Sequence, residues 1–205
     1  MKKSNCLKLG IMGGSFDPIH IGHLSMAQEA LEYYELDKVI FIPTGKSPHK
    51  DRKMTPPIKR LEWVKMAISG NRNFDFSGYE SYKETPSYTI ETVEYLQSIY
   101  KNTEFYYIVG EDSLLEIESW YSYEELLKKC VFLAARRSPE WKTGLNDKII
   151  ELNNRGFDVR EIPFRFLDIS STDIREKFRR GKSPRYYLKE EVYIDIFWEN
   201  VYADE

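Results

Sequence analysis

At 205 residues the chain is long enough for one well-buried core and too short for a large multidomain assembly. Apolar residues make up 41% and charged ones 31%, the balance of a soluble globular protein, which excludes a disordered chain. The formal net charge of -3 supplies no global positive field, so neither nucleic acid nor an anionic membrane surface is an expected partner.

In chain order, the apolar run Leu7–Met12 reads as a buried strand that ends at Gly13-Gly14, where missing Cβ atoms let backbone amides approach a ligand. A helical segment, Gly22–Tyr34, follows at once. Val39–Pro43 reads as a second strand. The polar stretch Thr44–Pro56 after it is long for a βα connection and reads as a substrate loop. Then come a helix over Pro57–Ser69, a weak strand near Phe74–Phe76, and a helix over Thr89–Ile99. The pattern continues with the strand Phe105–Gly110, helix Tyr123–Lys129, strand Val131–Ala135, helix Gly144–Asn154 and strand Val159–Ile162. Two helices close the chain, Ser171–Arg180 and Lys189–Asn200, parted by Gly181 and Pro184. Such alternation predicts a Rossmann-like, doubly wound α/β fold: a mostly parallel sheet, right-handed crossovers and helices on both faces. A single domain over 1–205 is expected, its C-terminal helical portion spanning about 170–205.

The two cysteines, Cys6 and Cys130, are far apart and form no C-x-x-C pair, so neither a disulfide framework nor a zinc site is expected. Lys8 interrupts any apolar core of a signal peptide, and no apolar run approaches the ~20 residues of a membrane span. A cytoplasmic location fits these features. The oligomeric state is not legible, and a homo-oligomer is left open.

The chemistry concentrates in GGSFDPIHIGHL, Gly13 to Leu24. His20 and His23 stand three apart across a helix start, just after a strand. In an open parallel sheet, ligands sit beyond the carboxyl ends of the strands, and helix N-termini favour anions. Both imidazoles can therefore face one phosphate and donate to oxygens that gain charge in a phosphoryl-type transition state. Zinc would need three or four ligands, and the remaining His49 with two scattered cysteines makes a poor set. TGKS at Thr44–Ser47 is no Walker A loop, because Ile40 occupies the position of the required glycine. G-x-x-G-G from Gly10 is likewise not the dinucleotide fingerprint. In ISSTDIR, Ser170 or Ser171 suits an N-cap, Thr172 lies in the first turn, and Arg175 follows on the same face. An acidic residue at a strand's carboxyl end, such as Asp112 after Gly110, can accept from ribose hydroxyls. Trp120 offers a face for an aromatic ring.

These strings together resemble the nucleotidylyltransferases of the HIGH superfamily, and within it the bacterial nicotinate mononucleotide adenylyltransferases. The resemblance runs through GGSFDPIHIGHL, FIPTGKSPHK, SYTIETV, YYIVGEDSLLEIESWY and ISSTDIREKFRRG, nearly the whole length. Class I aminoacyl-tRNA synthetases share HIGH, but no KMSKS element is present here. Phosphopantetheine adenylyltransferases are shorter and lack the Trp120-Tyr121 block. The resemblance implies that AMP is transferred from ATP to nicotinate mononucleotide, with pyrophosphate leaving and no covalent enzyme intermediate. It implies that His20, His23 and Arg175 are catalytic. It further implies an ATP site of Gly13, Gly14, Ser15, Phe16, His20, His23, Gly110, Asp112, Ser170, Thr172 and Arg175. Here Glu111 is a mild departure from the family's usual G-A-D or G-Q-D. For nicotinate mononucleotide it implies Trp120 stacked on the ring, Thr89 and the amide of Tyr121 at the carboxylate, and His49, Lys50 and Arg136 at the phosphate. Ser47-Pro48 stands where two prolines are common in the family. Mg2+ is expected as a bridge between ATP phosphates, with no protein ligand assigned.

Overall fold

The computed structural model describes residues 6–46, 54–136, 144–163 and 167–202. A six-stranded sheet in the order β3-β2-β1-β4-β5-β6 forms the middle layer. Its strands are β1 (Leu7–Gly14), β2 (Lys38–Pro43), β3 (Phe74–Phe76), β4 (Thr103–Gly110), β5 (Val131–Ala135) and β6 (Val159–Ile162), and all neighbours pair in parallel. The central strands are apolar without alternation because both of their faces are covered. In β2, Val39, Ile40, Phe41 and Ile42 are all buried.

On one face lie α1 (Ile21–Tyr33) and α2 (Pro57–Ile68) together with the C-terminal pair α7 (Ser171–Arg179) and α8 (Glu190–Trp198). Met12, Ala27, Phe41, Trp63, Ile174 and Ile196 form that core. On the other face lie α3 (Thr89–Ile99), α5 (Tyr123–Lys129) and α6 (Leu145–Asn154), packed around Ile11, Ile42, Val93, Leu126, Phe132 and Leu152. The chain winds outward from β1 to β3, returns to the centre, and winds the other way from β4 to β6. Its topological switch point is thus between β1 and β4, where an open α/β sheet leaves a crevice beyond the strand ends. The Rossmann-like, doubly wound architecture and the C-terminal helices follow the sequence reading closely.

Two details differ. β1 continues through Gly14, pairing Gly13 with Ile42 and Gly14 with Pro43, instead of stopping at Met12. The glycines serve close packing inside the strand. A Cβ on Gly13 would lie 2.3 Å from the Tyr107 hydroxyl, and one on Gly14 3.2 Å from the Phe16 ring. The second is α4 (Glu111–Leu115), directly after β4, which is too short to carry a helical period in sequence. No described helix is long and apolar enough to cross a membrane.

Candidate active site

A cavity of about 430 Å³ opens at the switch point. Gly13, Gly14 and Ser15 from the end of β1, His20 and His23 from the start of α1, and Ser170, Ser171 and Thr172 from the start of α7 line one end. Thr89, Tyr107, Gly110, Trp120 and Tyr121 line the other.

The local sequence explains the first end. His20 is extended and caps α1, whose first turn holds no acidic residue, so nothing offsets the positive end of its dipole. His23 Nδ1 accepts the backbone N–H of His20 at 3.2 Å, which leaves the ring proton on Nε2, the outward nitrogen. The two imidazoles lie 3.7 Å apart between centroids, and Phe16 meets His23 edge-on at 5.1 Å. Phe16 itself is buried, with φ 46°, a conformation that side chains other than glycine adopt at a cost of ~1–3 kcal/mol. That strain is held in place by long-range bonds. The Tyr202 hydroxyl donates to Asp17 Oδ1 at 2.9 Å, and Arg175 Nη1 donates to the Asp17 carbonyl at 2.7 Å. Ser171 Oγ donates to the Pro18 carbonyl at 2.9 Å. Burial and the Asp17 charge push the Tyr202 hydroxyl well above its ordinary pKa. Of the two serines that suit a cap, Ser170 takes the role: its Oγ accepts the Asp173 N–H at 3.1 Å.

The other end is aromatic. Tyr88 and Tyr121 lie 4.7 Å apart, and Trp120 stands edge-on to Tyr107 at 6.0 Å. Trp120 is half-buried, and Tyr121 is 59% exposed. Burial, then the nearby Glu80 charge, raises the Tyr107 hydroxyl above its usual range and keeps it protonated.

Several expected residues stand apart from the cavity wall. Phe16 and Arg175 are buried behind it, Arg175 Nη2 also reaching Thr172 Oγ1 at 3.1 Å. Asp112 is exposed, whereas its neighbour Ser113 lines the cavity. Arg136 lies off the wall, its guanidinium donating to Glu161 at 2.9 Å and to Asn146 at 2.8 Å. His49 and Lys50 fall outside the described residues. Tyr107 and Glu80 line the cavity without having been singled out as ligand contacts. Neither carried a local signal: Tyr107 sits in an unbroken buried run of β4, where no alternation marks a face, and Glu80 in an irregular stretch.

A cytidylyltransferase-like family model matches residues 11–177. A protein of Caldicellulosiruptor bescii named "Probable nicotinate-nucleotide adenylyltransferase" is 41% identical over 191 residues, 92% of this chain and 96% of that protein. One of the same name from Exiguobacterium sibiricum is 40% identical, covering 96% of this chain and all of the relative. The chain belongs to the nicotinate-nucleotide adenylyltransferase family. The fold of this family member is also that of the Plasmodium falciparum nicotinic acid mononucleotide adenylyltransferase solved with NaAD, at TM-score 0.75 and 19% identity. That match covers 97% of this chain and 98% of the other. In this family member the β1–α1 turn and the start of α7 meet at the switch point of the sheet.

Proposed function

We propose that this chain transfers AMP from ATP to nicotinate mononucleotide, yielding nicotinate adenine dinucleotide and pyrophosphate in NAD biosynthesis. The convergence of two helix N-termini, α1 with His20 and His23 and α7 with Ser170 and Thr172, on one cavity whose far end is aromatic carries this reading. The relatives' names support it.

In the reaction a phosphate oxygen of the mononucleotide attacks the α-phosphorus of ATP. The bond to the bridging oxygen of the β-phosphate breaks, and its electrons leave with pyrophosphate. No side chain needs to bond to phosphorus. The work of the protein is positioning and charge stabilisation. His23 presents Nε2–H, and with His20 it donates to oxygens of the α- and β-phosphates. The amides of Gly13, Gly14 and Ser15 border the same oxygens. The backbone amides at the start of α7, with Ser170 and Thr172, take the β- and γ-phosphates. Arg175 donates to the Asp17 carbonyl and to Thr172 Oγ1 and so fixes the separation of the β1–α1 turn from the start of α7. Gly110 and Asp112 border the adenosine ribose. Trp120 stacks on the nicotinate ring, with Thr89 and the Tyr121 amide at its carboxylate, and His49, Lys50 and Arg136 serve the mononucleotide phosphate. The arginine would have to exchange Glu161 for phosphate to do so. Magnesium enters as the ATP complex. Triphosphate oxygens and water are the natural ligands of a small hard cation. Two free thiols, Cys6 and buried Cys130, suit a reducing cytoplasm.

The test is direct. Purified protein given ATP, magnesium and nicotinate mononucleotide should release pyrophosphate and form the dinucleotide. A much higher kcat/KM with nicotinamide mononucleotide or phosphopantetheine would overturn the acceptor assignment.

A further inference from the structure

Arg60 is a buried cation. It sits on α2, is 1% exposed, and spends its planar fork on backbone carbonyls from three stretches of chain. Nε donates to the Thr55 carbonyl at 2.8 Å, and Nη2 to those of Thr44 at 2.6 Å and Gly45 at 3.4 Å. Nη1 donates to the carbonyl of Ser15. Ser15 and Thr44 both line the cavity, the first at its phosphate end. Thr44 also donates its own N–H to the Gly14 carbonyl at 2.8 Å, so the two loops meet at the residue the guanidinium holds.

The base of this clamp is itself anchored. The immediate neighbour of Arg60, Lys59, pairs with Asp195 at 2.8 Å and Glu199 at 2.7 Å, and one turn further along α2 Trp63 Nε1 donates to Asp195 at 2.6 Å. The helix carrying Arg60 is thereby tied to α8, and the fork has a fixed origin.

Burying a guanidinium is unfavourable unless its donors are matched, and a packed apolar side chain would hold the helix to the sheet with less penalty. What an apolar side chain cannot do is set the separation of several carbonyls at once. Only arginine offers five donors in a rigid plane. We infer that Arg60 is a positioning residue for the transfer reaction. It fixes the loop after β1 relative to the chain on both sides of residues 46–54, and so sets the approach of the two reacting phosphates. This rests on the proposed adenylyltransferase reading.

The experiment compares wild type with Arg60→Lys, which keeps the charge and loses the fork, and with Arg60→Ala. Each is assayed with ATP and nicotinate mononucleotide well below its own Tm. A displaced reacting group commonly costs tenfold to a hundredfold in rate, so kcat of Arg60→Lys should fall about tenfold or more while each KM stays within about threefold. Millimolar guanidinium ion should restore part of the kcat of Arg60→Ala and none of that of wild type. A lowered Tm with unchanged kcat per folded molecule would overturn the inference. So would failure of both variants to fold, which would make Arg60 a determinant of the fold alone. Wild type inactive on nicotinate mononucleotide would instead overturn the reaction assignment, a distinguishable result.

Discussion

At the end of the cavity lined by His20 and His23 the lining is held by bonds that span most of the chain. Ser171 reaches Pro18 across 153 residues, Arg175 reaches Asp17 across 158, and Tyr202 reaches Asp17 across 185. At the aromatic end rings meet rings, Tyr88 with Tyr121 and Tyr107 with Trp120, and the Tyr107 hydroxyl also bonds Thr89. Hydrogen bonds are directional and fail within a few tenths of an ångström, while ring contacts tolerate sliding. The first kind of scaffold suits groups that must meet charge developing in a transition state. The second suits a flat ring that only has to be bound. Damage at the two ends should therefore separate into kcat and KM.

The largest expected effect is at the first end. Losing one preorganised donor to a charge-developing oxygen reduces turnover by roughly 10²–10³-fold, and His20→Ala should do the same. Calorimetric affinity for ATP should largely survive, because the glycines and the α7 amides remain. Equal loss of affinity and turnover would show that His20 only shapes the loop, and the proposed contrast between the ends would be lost. Next comes Trp120→Ala. An aromatic stack contributes about 0.5–1.5 kcal/mol beyond area, so KM for nicotinate mononucleotide should rise about tenfold at most. KM for ATP and kcat should change little. A fall in kcat with KM intact would place Trp120 in the positioning machinery instead.

This contrast also decides what could be read from the sequence. The strands were legible because buried parallel strands are unbroken apolar runs, and β4, β5 and β6 end within a residue or two of where the pattern stops. Among the described candidates, the cavity-lining histidines, Ser170 and Thr172 were legible because each lies in a contiguous string at a strand-to-helix junction. Arg60 and Tyr202 were not, since nothing in a helix of ordinary composition or in a tail marks a partner 45 or 185 residues away. Arg136 illustrates the same limit. Its position after β5 suggests a ligand, but the register that sets Ala134 beside Glu161 supplies an acidic partner from the adjacent strand. Pairing between strands is decided by the fold, and it can occupy a side chain before any ligand does.

Glu80 offers the finest probe, because it lines the cavity beside both Thr92 of α3 and the Gly45 backbone. Its carboxyl is nearly buried in the cavity wall and accepts the Thr92 hydroxyl at 2.7 Å. Burial raises its pKa above 4.5, only partly countered by that bond, by Lys83, by the Gly45 backbone and by Arg60. A carboxyl raised on folding binds its proton more tightly in the native chain than in the unfolded one. Unfolding free energy therefore declines as pH rises from the ordinary carboxylate value through the folded one, and is level above it. Glu80→Gln keeps an acceptor for Thr92 and removes the titration. The Tm of the variant minus that of wild type should accordingly climb with pH over that window and then flatten, a tilt smaller than either kinetic effect. Parallel Tm curves for the two proteins from about pH 4.5 to 8 would mean that solvent reaches the carboxylate more freely than its burial implies. In that case the junction between the loop held by Arg60 and the aromatic end is looser than the phosphate end, and the division between the two scaffolds begins at Glu80 itself.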